Sequence, residues 1–378
     1  MKKLVFKTLS GVALLSAVLG VCLSSAVSAH TDLRIVNFGG AMARSQMLAY
    51  IRPWEQLNQK SVEMDEYNGG IEDLRAQVEA ANVKWDVVDM EYSDLIRACE
   101  DGLLEEIDHS TLLDGDDGTS AKQDFIDGAL PKCGVGSVIW ATVYAYSKEA
   151  FPNDAPSTIA DFFDTRKFPG KRGLRRDPRG TLEWALMAAG VAPDEVYDRL
   201  ATPEGLNLAF KTLDSIKGGI VWWERGPQPA AMLESGEVTM TAAWNGRLFR
   251  PIFEEKRPIE IVWDGQLWEI EMFGITKGSR RLSDALDFVR FATGTRPLVK
   301  QTNYISYGPV RKSSQSQVAS DIAPLLPTAE SNMKNALRFN SPWWADRIDG
   351  LRERFERWLT PVSGATAEKA RFSTARRT

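Results

Sequence analysis

The run VIWATVYAY at residues 138–146 decides how the rest of the chain is read. Its β-branched and aromatic residues make a strand longer than one α/β lobe needs, so it reads as a segment that carries the chain from one lobe into another. Upstream, 33–38, 61–67 and 85–90 read as strands. Helices are expected over 43–57, 71–81 and 92–101, the last closed by Gly102 in a left-handed cap. Downstream, strands are expected at 174–177, 219–223 and 238–244, with helices over 158–164, 181–190, 203–216 and 228–234. The β-rich stretches 259–263 and 268–275 bring the chain back. Strands alternating with helices give an α/β architecture with largely parallel sheets, and two crossings between lobes leave a ligand cleft with a hinge behind it. The expected division is one discontinuous lobe over 30–141 and 271–362, including the C-terminal helices, and a second over 142–270. A small, polar, basic tail at 363–378 reads as disordered.

Residues 1–29 begin with Lys2, Lys3 and Lys7, continue through an apolar run and end at Val27-Ser28-Ala29, the pattern of a secretory signal peptide cleaved after Ala29. Cys22 is preceded by valine, which makes it an imperfect lipid-attachment signal. No later run reaches the roughly 18 apolar residues of a membrane helix, so a soluble, periplasmic protein is expected. Export leaves Cys99 and Cys133, an even pair in an oxidising compartment; one disulfide is favoured, with two free thiols as the alternative. The chain carries a formal charge of −5, and losing a lysine-bearing leader makes it more acidic, which argues against nucleic acid as a partner. With only His30 and His109 as imidazoles and no CxxC pair, no metal is expected. The absence of GxGxxG, Walker A, HExxH and GxSxG patterns gives no cofactor and no nucleophilic enzyme.

Ligands in such sheets lie beyond the strand ends, which singles out a set of loops. Gly39 and Gly40, after Phe38, either admit a ligand to the backbone or serve the turn. Trp223 and Trp244 present flat π-faces near acids, as an amine ligand would require, or else fill core. Glu269 and Glu271 alternate on a strand and so share a face; they form a solvated edge, a cation site or, least favoured, the paired carboxylates of a hydrolase. Arg175, Arg176 and Arg179 cluster about Asp177, either as a solvated loop or, with Arg247, to recognise a carboxylate.

Taken in order, IVNFGGAMARSQ, WDVVDMEYSDLIRACEDGLLEEID, CGVGSVIWATVYAYSKEAF, FPGKRGLRRDP, VWWERGPQPAAMLESGEVTMTAAWNGR and YGPV resemble the solute-binding proteins of polyamine-type (spermidine/putrescine) ABC importers. The resemblance implies a two-lobed type II periplasmic-binding-protein fold and a small organic amine held by an aromatic box with carboxylates. It also implies delivery of that ligand to a membrane permease, by a protein expected to act as a monomer. Carried over by position, it points to Phe38 and Gly39, to Glu91 or Tyr92, to Asp177 and Trp244, to Trp268 or Glu269, and to Glu271 and Tyr307. Two departures count against spermidine itself: the family's second acid beyond Asp177 falls at Gly180, and Arg247 is an added cation. Related binding proteins take opines, amino-acid conjugates or other small organic cations, and a zwitterion reconciles Asp177 and Glu271 with Arg247. An anion site for a carboxylate or iron chelate, and an exported hydrolase, are the alternative readings.

Overall fold

Strand β1 (Leu33–Asn37) buries Leu33, Ile35 and Val36 completely, and it pairs in parallel with β2 (Val62–Glu66) on one side and β3 (Val87–Glu91) on the other. The computed structural model describes residues 32–360; the expected leader at 1–29, with Cys22, His30 and the expected tail at 363–378 lie outside the described residues. The strands of the second half are β4 (Gly134–Ser147), β5 (Arg172–Arg175), β6 (Ile220–Trp223), β7 (Met240–Trp244) and β8 (Ile259–Ile275). Among the described residues they join one sheet in the order β2-β1-β3-β8-β4-β7-β5-β6.

This sheet is mixed rather than largely parallel. The outer pairs β1–β2, β1–β3, β5–β6 and β5–β7 are parallel, as helical crossovers require. The central pairs β3–β8, β8–β4 and β4–β7 are antiparallel, because β4 and β8 are the segments that carry the chain across and back. The two β-rich stretches expected at 259–263 and 268–275 are one 17-residue strand. Gly265, at φ +72, and a register shift opposite Thr142 and Tyr144 let it continue past the point where the sequence suggests a break. Strand β5 runs over 172–175 instead of 174–177. After Arg175 the Asp177 side chain accepts the Arg179 backbone N–H at 2.9 Å and turns the chain out of the sheet.

Two apolar clusters flank the crossing. One gathers Val87, Met90, Leu95, Ile139, Ile270, Phe273 and Phe288; the other gathers Trp140, Tyr144, Phe162, Trp184, Trp223, Trp244 and Leu267. On β4 the two cores meet over Val138–Trp140, where Ile139 faces the first and Val138 and Trp140 the second, and on β8 the change falls between Leu267 and Ile270. The C-terminal helix Ser341–Leu359 puts Trp344, Ile348, Leu351 and Phe355 into the second core, while Asp349 pairs with Arg97 of the helix Tyr92–Glu100. Cys99 and Cys133 are disulfide-bonded, tying that helix to the start of β4. Closing this loop contributes about 3–4 kcal/mol by the chain-entropy estimate.

Candidate functional site

Strand register assembles the site. Glu271 on β8 lies opposite Glu91 on β3, and Glu269 lies opposite Trp140 on β4. With a side-chain period of two, Glu269 and Glu271 face the same side of the sheet, and Asp89 shares the face of Glu91. All four carboxylates are buried. Like charges placed directly opposite one another in a sheet are destabilising, so each must be compensated or neutralised.

One group of these acids is fully compensated. Glu91 Oε1 accepts Arg175 Nη1 at 2.8 Å, and its other oxygen meets Arg179 Nη1 closely. Arg179 also grips Asp177 through Nε and Nη2, both at 3.0 Å, and Arg352 reaches the same carboxylate at 3.4 Å. Burial pushes the Glu91 carboxyl up, but Arg175 and Arg179 outweigh it and hold it below its usual value. At Asp177 burial is likewise overcome, by Arg179 and then Arg175, and the carboxyl stays well below the usual range. Asp177 was expected to hold a ligand amine; both of its oxygens are instead bound by protein cations, and it lines no cavity beside Trp244.

In the other group burial wins, and Arg179 and Arg175 only partly offset it at Glu269. Burial, then Asp89, Glu91 and Glu269, push the Glu271 carboxyl well up, and burial followed by Glu91 does the same to Glu269. Asp89 is pushed up by burial to about 8 in spite of a hydrogen bond from Gln46 at 2.9 Å. Glu271 Oε1 and Glu269 Oε2 are buried and have no hydrogen-bond partner among the described residues. Each opens onto a cavity. Glu271 lines one with Phe38, Met42, Glu91, Trp140, Trp244, Arg247 and Tyr307. Glu269 lines a second, whose walls include Arg175, Arg179, Trp184 and Trp223. Glu91 and Trp140 belong to both. Unpartnered donors stand beside them: Arg247 Nε on a residue of the first cavity, the Trp223 indole N–H on one of the second, and the Trp140 indole N–H on the residue common to both.

Arg247 is fixed by its other nitrogens. Nη1 donates to Gly39 O at 2.8 Å and Nη2 to Phe38 O at 2.7 Å. Gly40 sits at φ +53, and a Cβ there would lie 2.5 Å from Arg247 Nη1, so the second glycine admits this arginine. The backbone at Gly39 and Gly40 therefore holds Arg247, while Gly40 itself faces the outer opening with Glu66, Asn68 and Arg225. Trp244 has the guanidinium of Arg175 5.1 Å from its ring and that of Arg247 at 5.7 Å. Its π-face is thus already beside protein cations rather than in an open aromatic box.

Of the residues expected from the sequence, the structure brings together Phe38, Glu91, Trp244, Arg247, Glu271 and Tyr307 in one cavity, and Glu91, Trp223 and Glu269 in its neighbour. It brings neither Tyr92 nor Trp268 into these two cavities. Tyr92 opens onto another with Tyr197, Arg338 and Asn340, which shares Glu269 with the second, and Trp268 lies under Arg338, 5.1 Å from ring to guanidinium. Met42 and Trp140 were not anticipated. Trp140 stands in the run that decided the fold, but its place opposite Glu269 is a matter of strand pairing that no local pattern encodes.

Residues 49–328 match the family described as bacterial extracellular solute-binding protein. The chain is 36% identical over 340 residues to the gamma-aminobutyric acid-binding protein of Pseudomonas aeruginosa, covering 90% of this chain and 94% of the relative. Among solved structures it is similar to the binding protein MotA of A. tumefaciens B6 in complex with glucopine (25% identity, 87% and 100% of the two chains, TM-score 0.80). It is also similar to the Atu4243 GABA receptor (28% identity, 89% and 99%, TM-score 0.76). The spermidine/putrescine-binding protein PotD of Streptococcus pneumoniae is a more distant neighbour, at 13% identity and a TM-score of 0.66 over 87% and 99% of the two chains, a likeness of fold alone.

Proposed function

The chain belongs to the bacterial extracellular solute-binding protein family, and we propose that its ligand is a small zwitterionic amine of the γ-aminobutyrate type. It is the periplasmic substrate-binding component of an ABC importer, whose family delivers captured solutes to a membrane permease. One observation carries the ligand reading: Glu271 Oε1 and Arg247 Nε, an acceptor and a donor, are both buried and without a partner among the described residues, and their side chains line the same cavity. An ammonium group has donors and no acceptor, so a polyamine satisfies Glu271 and leaves Arg247 Nε without a partner. A simple carboxylate or an iron chelate does the reverse and adds negative charge beside Glu271, Glu91 and Asp89. A molecule with an amine at one end and a carboxylate at the other satisfies both. The relatives named for gamma-aminobutyric acid support this over the spermidine/putrescine reading. Binding proteins among the relatives likewise favour capture over hydrolysis at Glu269 and Glu271. The cavities lie between β3 and β8 on one side and the loops after β5, β6 and β7 on the other, so a ligand there favours a closed arrangement through its differential affinity for it.

Calorimetric titration with γ-aminobutyrate, putrescine and butyrate tests the reading. The zwitterion is expected to bind at least tenfold more tightly than either singly functional compound. Putrescine binding as tightly as γ-aminobutyrate would overturn it.

A further inference from the structure

From Asp89 on β3 a row of buried hydrogen bonds runs to the turn that holds Arg247. Gln46 Nε2 donates to Asp89 Oδ2 at 2.9 Å, Asn37 Nδ2 donates to Gln46 Oε1 at 2.7 Å, and the Gly39 N–H donates to Asn37 Oδ1 at 2.9 Å. The carbonyl of Gly39 then accepts Arg247 Nη1 at 2.8 Å. Asn37, Gln46 and Asp89 are all buried, so each link that is lost leaves a polar group with no water to replace its partner. Gly39 stands at φ +64, a region glycine enters at no steric cost, and the shape of the turn is therefore set by these bonds rather than by a side chain of its own.

The row has a direction. A backbone N–H only donates, so Gly39 must meet the oxygen of the Asn37 amide, which turns the Asn37 nitrogen to Gln46. Gln46 must then give its oxygen to Asn37 and its nitrogen to an acceptor, and the Asp89 carboxylate is that acceptor. Turning either amide over sets donor against donor on one side and acceptor against acceptor on the other. Resting on the zwitterion reading above, we propose that Asn37 and Gln46 are positioning residues: their one-way row of hydrogen bonds fixes the turn at Phe38 and Gly39, and through it holds Arg247 with Nε turned to the ligand carboxylate.

Neither Asn37 nor Gln46 lines the cavity, so each acts on a ligand through another residue. Two routes are open, and they are separable. A change at Asp89 reaches Glu271 and is felt by every ammonium ligand alike, whereas a change at Arg247 is felt only by a ligand that carries a carboxylate. The ratio of the affinities for γ-aminobutyrate and n-butylamine, which differ in that carboxylate, therefore isolates the effect that passes through Arg247. A residue that merely fills space between β1 and β3 lowers both affinities together and leaves the ratio alone.

Calorimetric titration with these two compounds is the test. The wild type is expected to favour γ-aminobutyrate at least tenfold. In Gln46→Met, which keeps the length of the side chain and cuts two links, the ratio should fall to about threefold or less. Asn37→Leu also cuts two links and should do the same, and it serves if Gln46→Met does not fold. The isosteric double variant Asn37→Asp with Asp89→Asn reverses the row: the new carboxylate accepts from both Gly39 and Gln46, and the new amide donates to Gln46 Oε1. Its ratio should stay within about twofold of the wild type. A ratio unchanged by cutting the links would make the two residues packing alone, and a ratio that falls as far in the double variant would deny the row its direction; either result overturns the proposal. If the wild-type ratio is large and the variants leave it unchanged, only this inference fails; if the wild-type ratio is itself near one, the zwitterion reading fails and this inference with it.

Discussion

Two sets of buried charges face the same cleft, and they differ in how completely they are answered. Around Arg179, the acids Asp177 and Glu91 meet guanidinium groups at 3.0 Å or less, and burial is outweighed by those cations. Around Glu271, neighbouring acids add to the effect of burial, and oxygens on Glu269 and Glu271 lack partners among the described residues. The first set is finished as folded and serves the fold by pinning the loop after β5 to β3. The second is left incomplete, at a cost in stability that a ligand can offset. Buried charge alone does not mark a binding residue; the partner it lacks does.

The largest effect should come from breaking the finished set. Arg179→Met leaves Asp177, Glu91 and Asp94 buried with much less compensation, and loss of one partner from a buried ion pair costs about 3–5 kcal/mol. A denaturant titration should show that loss. A midpoint within experimental error of the wild type would mean the network does not hold the fold and would erase the contrast drawn above.

Breaking the incomplete set should read out in affinity instead. Glu271→Gln removes a buried carboxylate that has like charges for neighbours, so stability should hold or rise while affinity for γ-aminobutyrate falls more than tenfold. The pH dependence sharpens the point. The Glu271 carboxyl is raised in the free protein, and an incoming ammonium favours its ionised form. Binding must therefore release a proton at low pH, and wild-type affinity should climb as pH rises from about 5 towards 8, with a flatter profile in the variant. Affinity that falls over this range would assign the dominant contact to a ligand anion rather than to its amine.

Much of the fold was legible in the sequence because hydrophobic runs and glycine caps are local signals. The strands at 33–37, 87–91 and 220–223, and Gly102 at φ +69 after the helix Tyr92–Glu100, fall within a residue or two of their expected places. The antiparallel centre was not legible, since nothing local to 259–275 states which strands it will lie between. The site divides in the same way. Trp244, Arg247 and Glu271 were reached from residue type and family position. The saturation of Asp177 by Arg179 and Arg352 depends on a turn and on a helix 175 residues away. The role of Gly40 is a further example, because its meaning lies in Arg247, which approaches from another part of the chain.

The smallest effect tests the boundary of the site. Tyr92 follows Glu91 in sequence and was expected to share its cavity, but the strand ends at Glu91 and the helix starts at Tyr92. The turn between them sends the two side chains to different cavities: Glu91 joins Trp140 and Glu271, while Tyr92 joins Tyr197, Arg338 and Asn340. Tyr92 is partly exposed and has no place against a ligand held between Glu271 and Arg247. Tyr92→Phe should therefore change γ-aminobutyrate affinity by less than about twofold, where Glu271→Gln changes it more than tenfold. A tenfold loss in Tyr92→Phe, measured by the same titration, would place the ligand nearer Glu269 and Arg338 and move Glu271 and Arg247 out of the binding site.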